Sequence, residues 1–230
     1  CLCIHLLNFC YNPSMKNYTA QSFWVSKKKG RIKKEIINKT LEKDDLLVKA
    51  QYSGISYGTE KIVFDSQVPV NQYEFMRAPH QVGEFNKEVK YGYLSVGKVI
   101  EGPRAMINKM VYTMFPHQSM YVLKSSLATL IPSHIPHKRA LLTANMETAI
   151  NAMWDSKPTI GDTTYVLGAG IVGILMAYVL SRTFGLRVTV IDKDINKKKL
   201  CKYLDIEFEN NINCIDNPDI IYECTGNASV

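Results

Sequence analysis

Residues 164–192 read TYVLGAGIVGILMAYVLSRTFGLRVTVID, and this stretch decides the fold. A short β-rich run (164–167) meets Gly168-x-Gly170-x-x-Gly173. An apolar run of helix length continues to residue 184, and a second β-rich run (187–191) ends on Asp192. Strand, glycine turn, helix, strand and acid in that order, with the acid about 20 residues past the last glycine, is the pattern of a dinucleotide-binding unit. Gly168 would allow the tight turn off the strand, Gly170 the approach of a pyrophosphate, and Gly173 close packing of helix on strand. The helix start would offer free N–H groups and partial positive charge to phosphates. Asp192 would accept hydrogen bonds from the adenosine ribose and repel the extra phosphate of NADP, so NAD(H) is expected over NADP(H).

Outward from this unit, 230 residues are enough for two ordinary domains. Hydrophobic residues at 46% and charged residues at 21% are those of a globular chain. No apolar run is long enough to span a bilayer, so no membrane partner is expected. The net charge of +7 owes much to Lys27, Lys28, Lys29, Arg31, Lys33 and Lys34. These surround Gly30 between β-like stretches at 21–25 and 32–37 and read as a solvated hairpin turn whose charge guards a sheet edge. No recognition helix or RNA-binding signature accompanies them, and no nucleic-acid partner is expected. Cys1, Cys3, Cys10, Cys201, Cys214 and Cys224 include no C-x-x-C pair. They imply free thiols in a reducing, cytoplasmic setting rather than a disulfide frame. Residues 1–14, which open CLCIHLLNFC, read as a non-native or disordered leader before the more ordinary MKNYTAQSFWV that starts at Met15.

Residues 18–130 are β-rich, with strands expected at 46–52, 97–101, 109–114 and 119–123 and an irregular excursion at 67–90. A helix is expected from His137 to Trp154, closed by Pro158 and Gly161, after which the pattern alternates β and α. The fold class is therefore α/β plus β: a β-rich domain over 15–135, then a doubly wound parallel sheet over 136–230. Its strands are placed at 164–167, 187–191, weakly at 206–215, and at 219–223. A complete doubly wound nucleotide domain has six strands, so this sheet reads as incomplete at the C-terminus.

SGISYGTE (53–60), KYGYLSVGKVIEG (90–102), ANMETAINAMWD (144–155), VLGAGIVG (166–173) and ECTGNAS (223–229) together resemble the medium-chain dehydrogenase/reductase superfamily, the relatives of zinc-type alcohol dehydrogenase. The resemblance implies a GroES-like β-rich catalytic domain followed by a Rossmann domain. It implies that Gly168, Gly170 and Gly173 hold the pyrophosphate and Asp192 the ribose. Val172 and Thr148 would lie near the nicotinamide, and Thr225 and Gly226 would line the cofactor cleft. It also implies a small-molecule substrate and, for the full-length form, a homodimer.

The zinc pattern is broken. Tyr57 stands where the family has a ligand cysteine, Gly92-Tyr93-Leu94 replaces Gly-His-Glu, and the third ligand position falls near Ala144 or Asn145. Phenols, an alanine and an amide do not make a zinc site, so no catalytic zinc is expected. The groups left to manage charge on a substrate oxygen are Tyr57, Thr59, Tyr93 and His117. Glu60 reads as an anchor of its turn, and Arg77 with His80 as a candidate anion-binding pair. Three functions remain open: an NAD(H)-dependent oxidoreductase of an alcohol/carbonyl pair, a zinc-free reductase of enones or quinones, and a non-catalytic nucleotide-binding relative.

Overall fold

The computed structural model describes residues 16–226, so the expected leader at 1–14 lies outside the described residues. The chain forms two compact units that divide between Leu141 and Leu142.

The first unit opens on a long hairpin, β1 (Lys16–Ser26) and β2 (Lys29–Lys39), in unbroken antiparallel register from Lys16↔Lys39 to Ser26↔Lys29. Its turn is Lys27-Lys28, both at positive φ (46° and 63°), and not the glycine at 30. Two such residues give the backbone twist that a two-residue hairpin needs. Gly30 lies inside β2 for another reason. A Cβ there would collide with the Phe23 ring across the pair. The lysine-rich cluster is partly neutralised by the fold: Arg31 and Lys33 both pair with Glu88, and the Lys33 ammonium sits 4.1 Å above the Trp24 ring.

After β3 (Asp45–Ser53), residues expected to form only a turn make a two-turn helix, α1 (Tyr57–Phe64). The 67–90 excursion holds a single 3-10 turn and the two-residue strands β4 (Val82–Gly83) and β5 (Val89–Lys90). There follow β6 (Ser95–Glu101), β7 (Met110–Thr113), β8 (Met120–Lys124), β9 (Ala128–Leu130) and the short helix α2 (His137–Ala140). Two sheets result, ordered β2-β1-β5-β4 and β8-β3-β6-β7-β9. The second is antiparallel, with its core made by Leu46, Val48, Val99, Val111, Phe115, Tyr121 and Leu123. Phe115 and Tyr121 stack at 3.9 Å, and the buried Tyr121 hydroxyl bonds Ser95 (2.8 Å) and Thr113 (2.7 Å). Buried hydroxyls satisfied in this way fix the register of three strands without leaving an orphan donor.

The helix expected over 137–154 is broken at Leu141–Leu142, and its long part, α3 (Thr143–Ser156), belongs to the second unit. Lys157 ends it in the left-handed region (φ 52°) just before Pro158, which cannot continue a helix. Then come β10 (Thr163–Leu167), α4 (Ile171–Thr183), β11 (Arg187–Ile191), α5 (Lys198–Tyr203), β12 (Glu207–Glu209) and β13 (Ile220–Glu223). The strands form a parallel sheet ordered β12-β11-β10-β13. In order of strand along the unit this is 3-2-1-4, the arrangement from which a doubly wound sheet is built. Helix α4 buries Gly173, Met176, Ala177 and Leu180, the i, i+3, i+4, i+7 stripe of a core-facing helix. That stripe packs with Ala149 and Met153 of α3 and with Val166, Val188 and Val190 of the sheet. Tyr165, Leu167 and Ile191 point to the other face, against Cys214 and Ile215.

The tightest point of the antiparallel core is Gly97 in β6. A Cβ there would come within 2.6 Å of Val48 Cγ1 and 2.7 Å of the Lys49 carbonyl oxygen. Gly97→Ala should therefore destabilise the first unit by about 1–3 kcal/mol, the usual cost of overpacking. Urea unfolding monitored by circular dichroism checks this.

Candidate functional site

The sheet of the second unit reverses its winding at β10, which has β11 on one side and β13 on the other. Ligands of open parallel sheets bind at the carboxyl end of such a switch point. Here that end carries the glycine turn. Gly168 leaves β10 with φ 101°, its N–H donating to the Ile191 carbonyl at 2.7 Å, while Cys224 N–H donates to the Leu167 carbonyl at 2.8 Å. A Cβ on Gly168 would sit 2.9 Å from the Cys224 carbonyl carbon, so both dihedral and space demand glycine. A Cβ on Gly173, one turn into α4, would fall inside the 3.0 Å that real Cβ atoms respect, against the Gly168 carbonyl oxygen.

Gly170 differs from both. It caps α4 without a side-chain hydrogen bond, its backbone is extended (φ −74°, ψ −177°), and a Cβ would meet nothing within 4 Å. The open space lies beside the unsatisfied N–H groups of the first turn of α4, where an anion is favoured by hydrogen bonding and by the helix dipole. The half-buried Asp192, just past β11, closes the other wall. Its Oδ2 accepts from Ala169 N–H (2.6 Å) and its Oδ1 from Asp194 N–H (2.8 Å). Thr225 follows β13, its N–H and hydroxyl both donating to Glu223, and the Gly226 that succeeds it has φ 62°. Val172 is half-buried in the first turn of α4. Thr148 is exposed on α3, its hydroxyl bonded back to the Ala144 carbonyl at 3.1 Å. Cys224, packed against the glycine turn, is held neutral: burial, then the neighbouring Glu223 carboxylate, push its thiol up to about 11.

In the first unit, His117 is the best-held of the expected residues. Its imidazole Nδ1 lies 2.5 Å from the Ser53 hydroxyl and its Nε2 lies 2.6 Å from Glu60 Oε2. The backbone is fixed by Phe23 N–H on the His117 carbonyl (2.9 Å), and the Phe23 ring packs edge-on at 6.2 Å. Gly92, at φ 124°, makes the room, since a Cβ there would be 2.9 Å from His117 Nε2. Glu60 does anchor its turn, accepting from Ser56 N–H with Oε1 (2.8 Å), but its second oxygen serves His117. Ser53 and Tyr91 were not marked by sequence. Tyr91 donates to the Met76 carbonyl at 2.8 Å and meets Tyr93 edge-on at 6.3 Å, and burial, then Tyr93 and Glu60, push its phenol upward. Tyr93 is half-buried and Thr59 partly exposed, while Tyr57, at the start of α1, is 67% exposed. His80 stacks on Phe115 at 4.8 Å, and its partial burial lowers its pKa, which disfavours the cation an anion site would need.

An NAD(P)-binding Rossmann-like domain model matches residues 166–196, from the end of β10 through the acid. No curated protein sequence matches significantly. Solved structures do. L-idonate 5-dehydrogenase from Escherichia coli K-12 superimposes with a TM-score of 0.73 at 14% identity, over 93% of this chain and 71% of that one. A putative zinc-binding dehydrogenase from Sinorhizobium meliloti bound to NADP gives 0.72 at 15% identity, over 92% and 71%. A short chain alcohol dehydrogenase from Escherichia coli CFT073 complexed with NADH gives 0.71 at 17% identity, over 90% and 69%. The chain shares the fold of these dehydrogenase structures.

That fold implies two guests, a nicotinamide dinucleotide and, in its zinc-type branch, a metal ion. The first fits: the turn leaves open space at Gly170, beside the first N–H groups of α4 and near the Asp192 carboxylate. The second does not. No group of three His, Cys, Asp or Glu side chains placed to hold a metal occurs among the described residues, and Tyr57, Tyr93, Ala144 and Asn145, which the sequence resemblance sets against the zinc ligands, are not zinc-binding residue types. His117 and Glu60, two ligand-type groups that meet in the first unit, are bonded to each other.

The three glycines separate packing from binding. Gly170→Ala should cost under about 1 kcal/mol, as at an N-cap, yet weaken NADH binding at least about tenfold by filling the cradle. Gly173→Ala should lower both stability and binding. Thermal melts paired with NADH fluorescence titrations distinguish the two patterns.

Proposed function

We propose that this chain is an NAD(H)-dependent oxidoreductase acting on an alcohol/carbonyl pair without catalytic zinc. The observation that carries the reading is the turn at Gly168, Gly170 and Gly173 beside Asp192: two of its glycines are demanded by packing, and the third borders open space at a helix start. Gly170 and the first N–H groups of α4 would hold the pyrophosphate, Asp192 the adenosine ribose, and Thr225 and Gly226 the cleft after β13. Val172 and Thr148 are assigned to the nicotinamide end. When bound, the dinucleotide supplies or accepts the hydride.

Asp192 sets the cofactor preference. Each of its oxygens takes one backbone N–H, and an ionised carboxylate has about four lone-pair sites, so acceptor capacity remains for ribose hydroxyls. A 2′-phosphate would instead meet a fixed negative charge. In the first unit the hydrogen-bond and proton donors assigned to the substrate oxygen are Tyr57, Thr59, Tyr93 and His117. They take the place of the Lewis acid that a metal provides in zinc enzymes.

NADH should bind at least about tenfold tighter than NADPH, a difference of about 1.4 kcal/mol, with the preference lost in Asp192→Ala. Fluorescence titration of both nucleotides measures it, and equal affinities in the wild type would remove the assignment. Consumption of enone or quinone absorbance in place of a carbonyl would move the substrate class. Zinc bound at about one equivalent per chain would contradict the metal-free reading.

A further inference from the structure

Strand β2 (Lys29–Lys39) is an edge of its sheet, which is ordered β2-β1-β5-β4. The direction of its backbone groups follows from its neighbour. In β1, Phe23 N–H donates away from β2, to the His117 carbonyl (2.9 Å), and the Gln21 carbonyl accepts from Ser119 N–H (2.8 Å). Phe23 and Gln21 lie opposite Ile32 and Lys34. In an antiparallel ladder, opposite residues alternately exchange both hydrogen bonds or neither. Phe23↔Ile32 and Gln21↔Lys34 are therefore non-bonded pairs, and Ile32 and Lys34 turn their N–H and C=O outward. The register is unbroken, so Ile36 does the same. These outward groups have no backbone partner among the described residues.

The side chains along this edge are of two kinds. Ile32 and Ile36 are 63% and 70% exposed, and they share a face with the exposed Lys34 between them. The hairpin tip adds the exposed Lys27, Lys28 and Lys29. Arg31 and Lys33, on the opposite face, are paired with Glu88. Lys27, Lys28, Lys29 and Lys34 make no ion pair among the described residues. The tip is held in place by Lys28 N–H, which donates to the Phe64 carbonyl at the end of α1 (3.0 Å). The edge is thus presented already ordered, which lowers the entropic cost of binding.

An open edge of this length is a template for another strand, and lysines along it repel strands of like charge. That disfavours a second copy of the chain. Two β2 strands would bring Lys29, Arg31, Lys33 and Lys34 of each together against one acid, Glu35, which is already bonded to Lys90. Charge complementarity selects the opposite kind of strand. We propose that β2 binds an acidic, extended segment of a partner protein by strand addition. The segment's backbone pairs with Ile32, Lys34 and Ile36, its apolar side chains cover the two isoleucines, and its carboxylates meet Lys27, Lys28, Lys29 and Lys34. Backbone bonds give the affinity, and the alternation of apolar and acidic side chains gives the specificity. An anionic lipid surface would satisfy the lysines and isoleucines but not the row of backbone groups.

The probe is a fluorescein-labelled peptide of alternating glutamate and valine, about nine residues long, added to the full chain. Fluorescence anisotropy should show saturable binding that weakens as salt rises from about 0.05 to 0.5 M. A lysine/valine peptide of the same length should not bind. Lys27→Glu, Lys29→Glu and Lys34→Glu combined should weaken binding at least about tenfold. Ile36→Pro removes an outward N–H and no bond to β1, so it should keep the wild-type circular dichroism and bind at least about fivefold more weakly. Amide hydrogen exchange tests the edge without any variant. Ile32, Lys34 and Ile36 should exchange fast in the free protein and slowly with peptide, while Arg31, Lys33 and Glu35, which face β1, stay slow throughout. Slow exchange of the first three without peptide, or no change on adding it, overturns the proposal. Equal affinity for the lysine/valine peptide does the same. Binding to phosphatidylserine vesicles in place of the acidic peptide would make the hairpin a lipid-facing surface and overturn strand addition.

Discussion

The contact between Gly173 and the Gly168 carbonyl governs the second unit. Helix α4 approaches the end of β10 so closely that no Cβ fits between them. The approach sets the helix on the sheet, which lets Met176, Ala177 and Leu180 meet Val166, Val188 and Val190. It also aims the first turn of α4 at the switch point between β11 and β13. Core packing and the proposed anion site are thus consequences of one close approach, which is why replacing Gly173 should harm both and replacing Gly170 only one.

A comparable constraint operates in the first unit. Gly92 at φ 124° leaves the space into which His117 Nε2 projects, and Glu60 reaches the same nitrogen from α1. In the metal-free reading proposed above, the phenols at 57 and 93 and an imidazole already engaged on two sides supply oriented donors in place of a metal's fixed charge. Removing one such donor from an oxyanion site typically costs about 100- to 1000-fold in rate.

The nucleotide unit was legible because its signals are local. Gly168, Gly170, Gly173 and Asp192 lie within one strand–helix–strand run, and the strands at 187–191 and 219–223 reappear as β11 and β13 with at most one residue changed. The five-stranded sheet was legible for most of its strands by alternation, though β9 was too short to stand out. Less was legible where partners are distant in sequence. Ser53 meets His117 across 64 residues and Glu60 meets it across 57, and no periodicity encodes such a meeting. The lysine-rich hairpin turn was legible, but not which residues make it: Lys27 and Lys28 take positive φ, and Gly30 serves the Phe23 ring. The break at Leu141–Leu142 was hidden because α2 and α3 read as one helical pattern with no glycine or proline between them.

The most direct test of the central claim is a crystal structure of the chain grown with NADH. The account predicts pyrophosphate oxygens beside Gly170, accepting hydrogen bonds from the first N–H groups of α4, with the adenosine ribose against Asp192. A dinucleotide bound elsewhere, or a pyrophosphate that makes no contact with the start of α4, would contradict it.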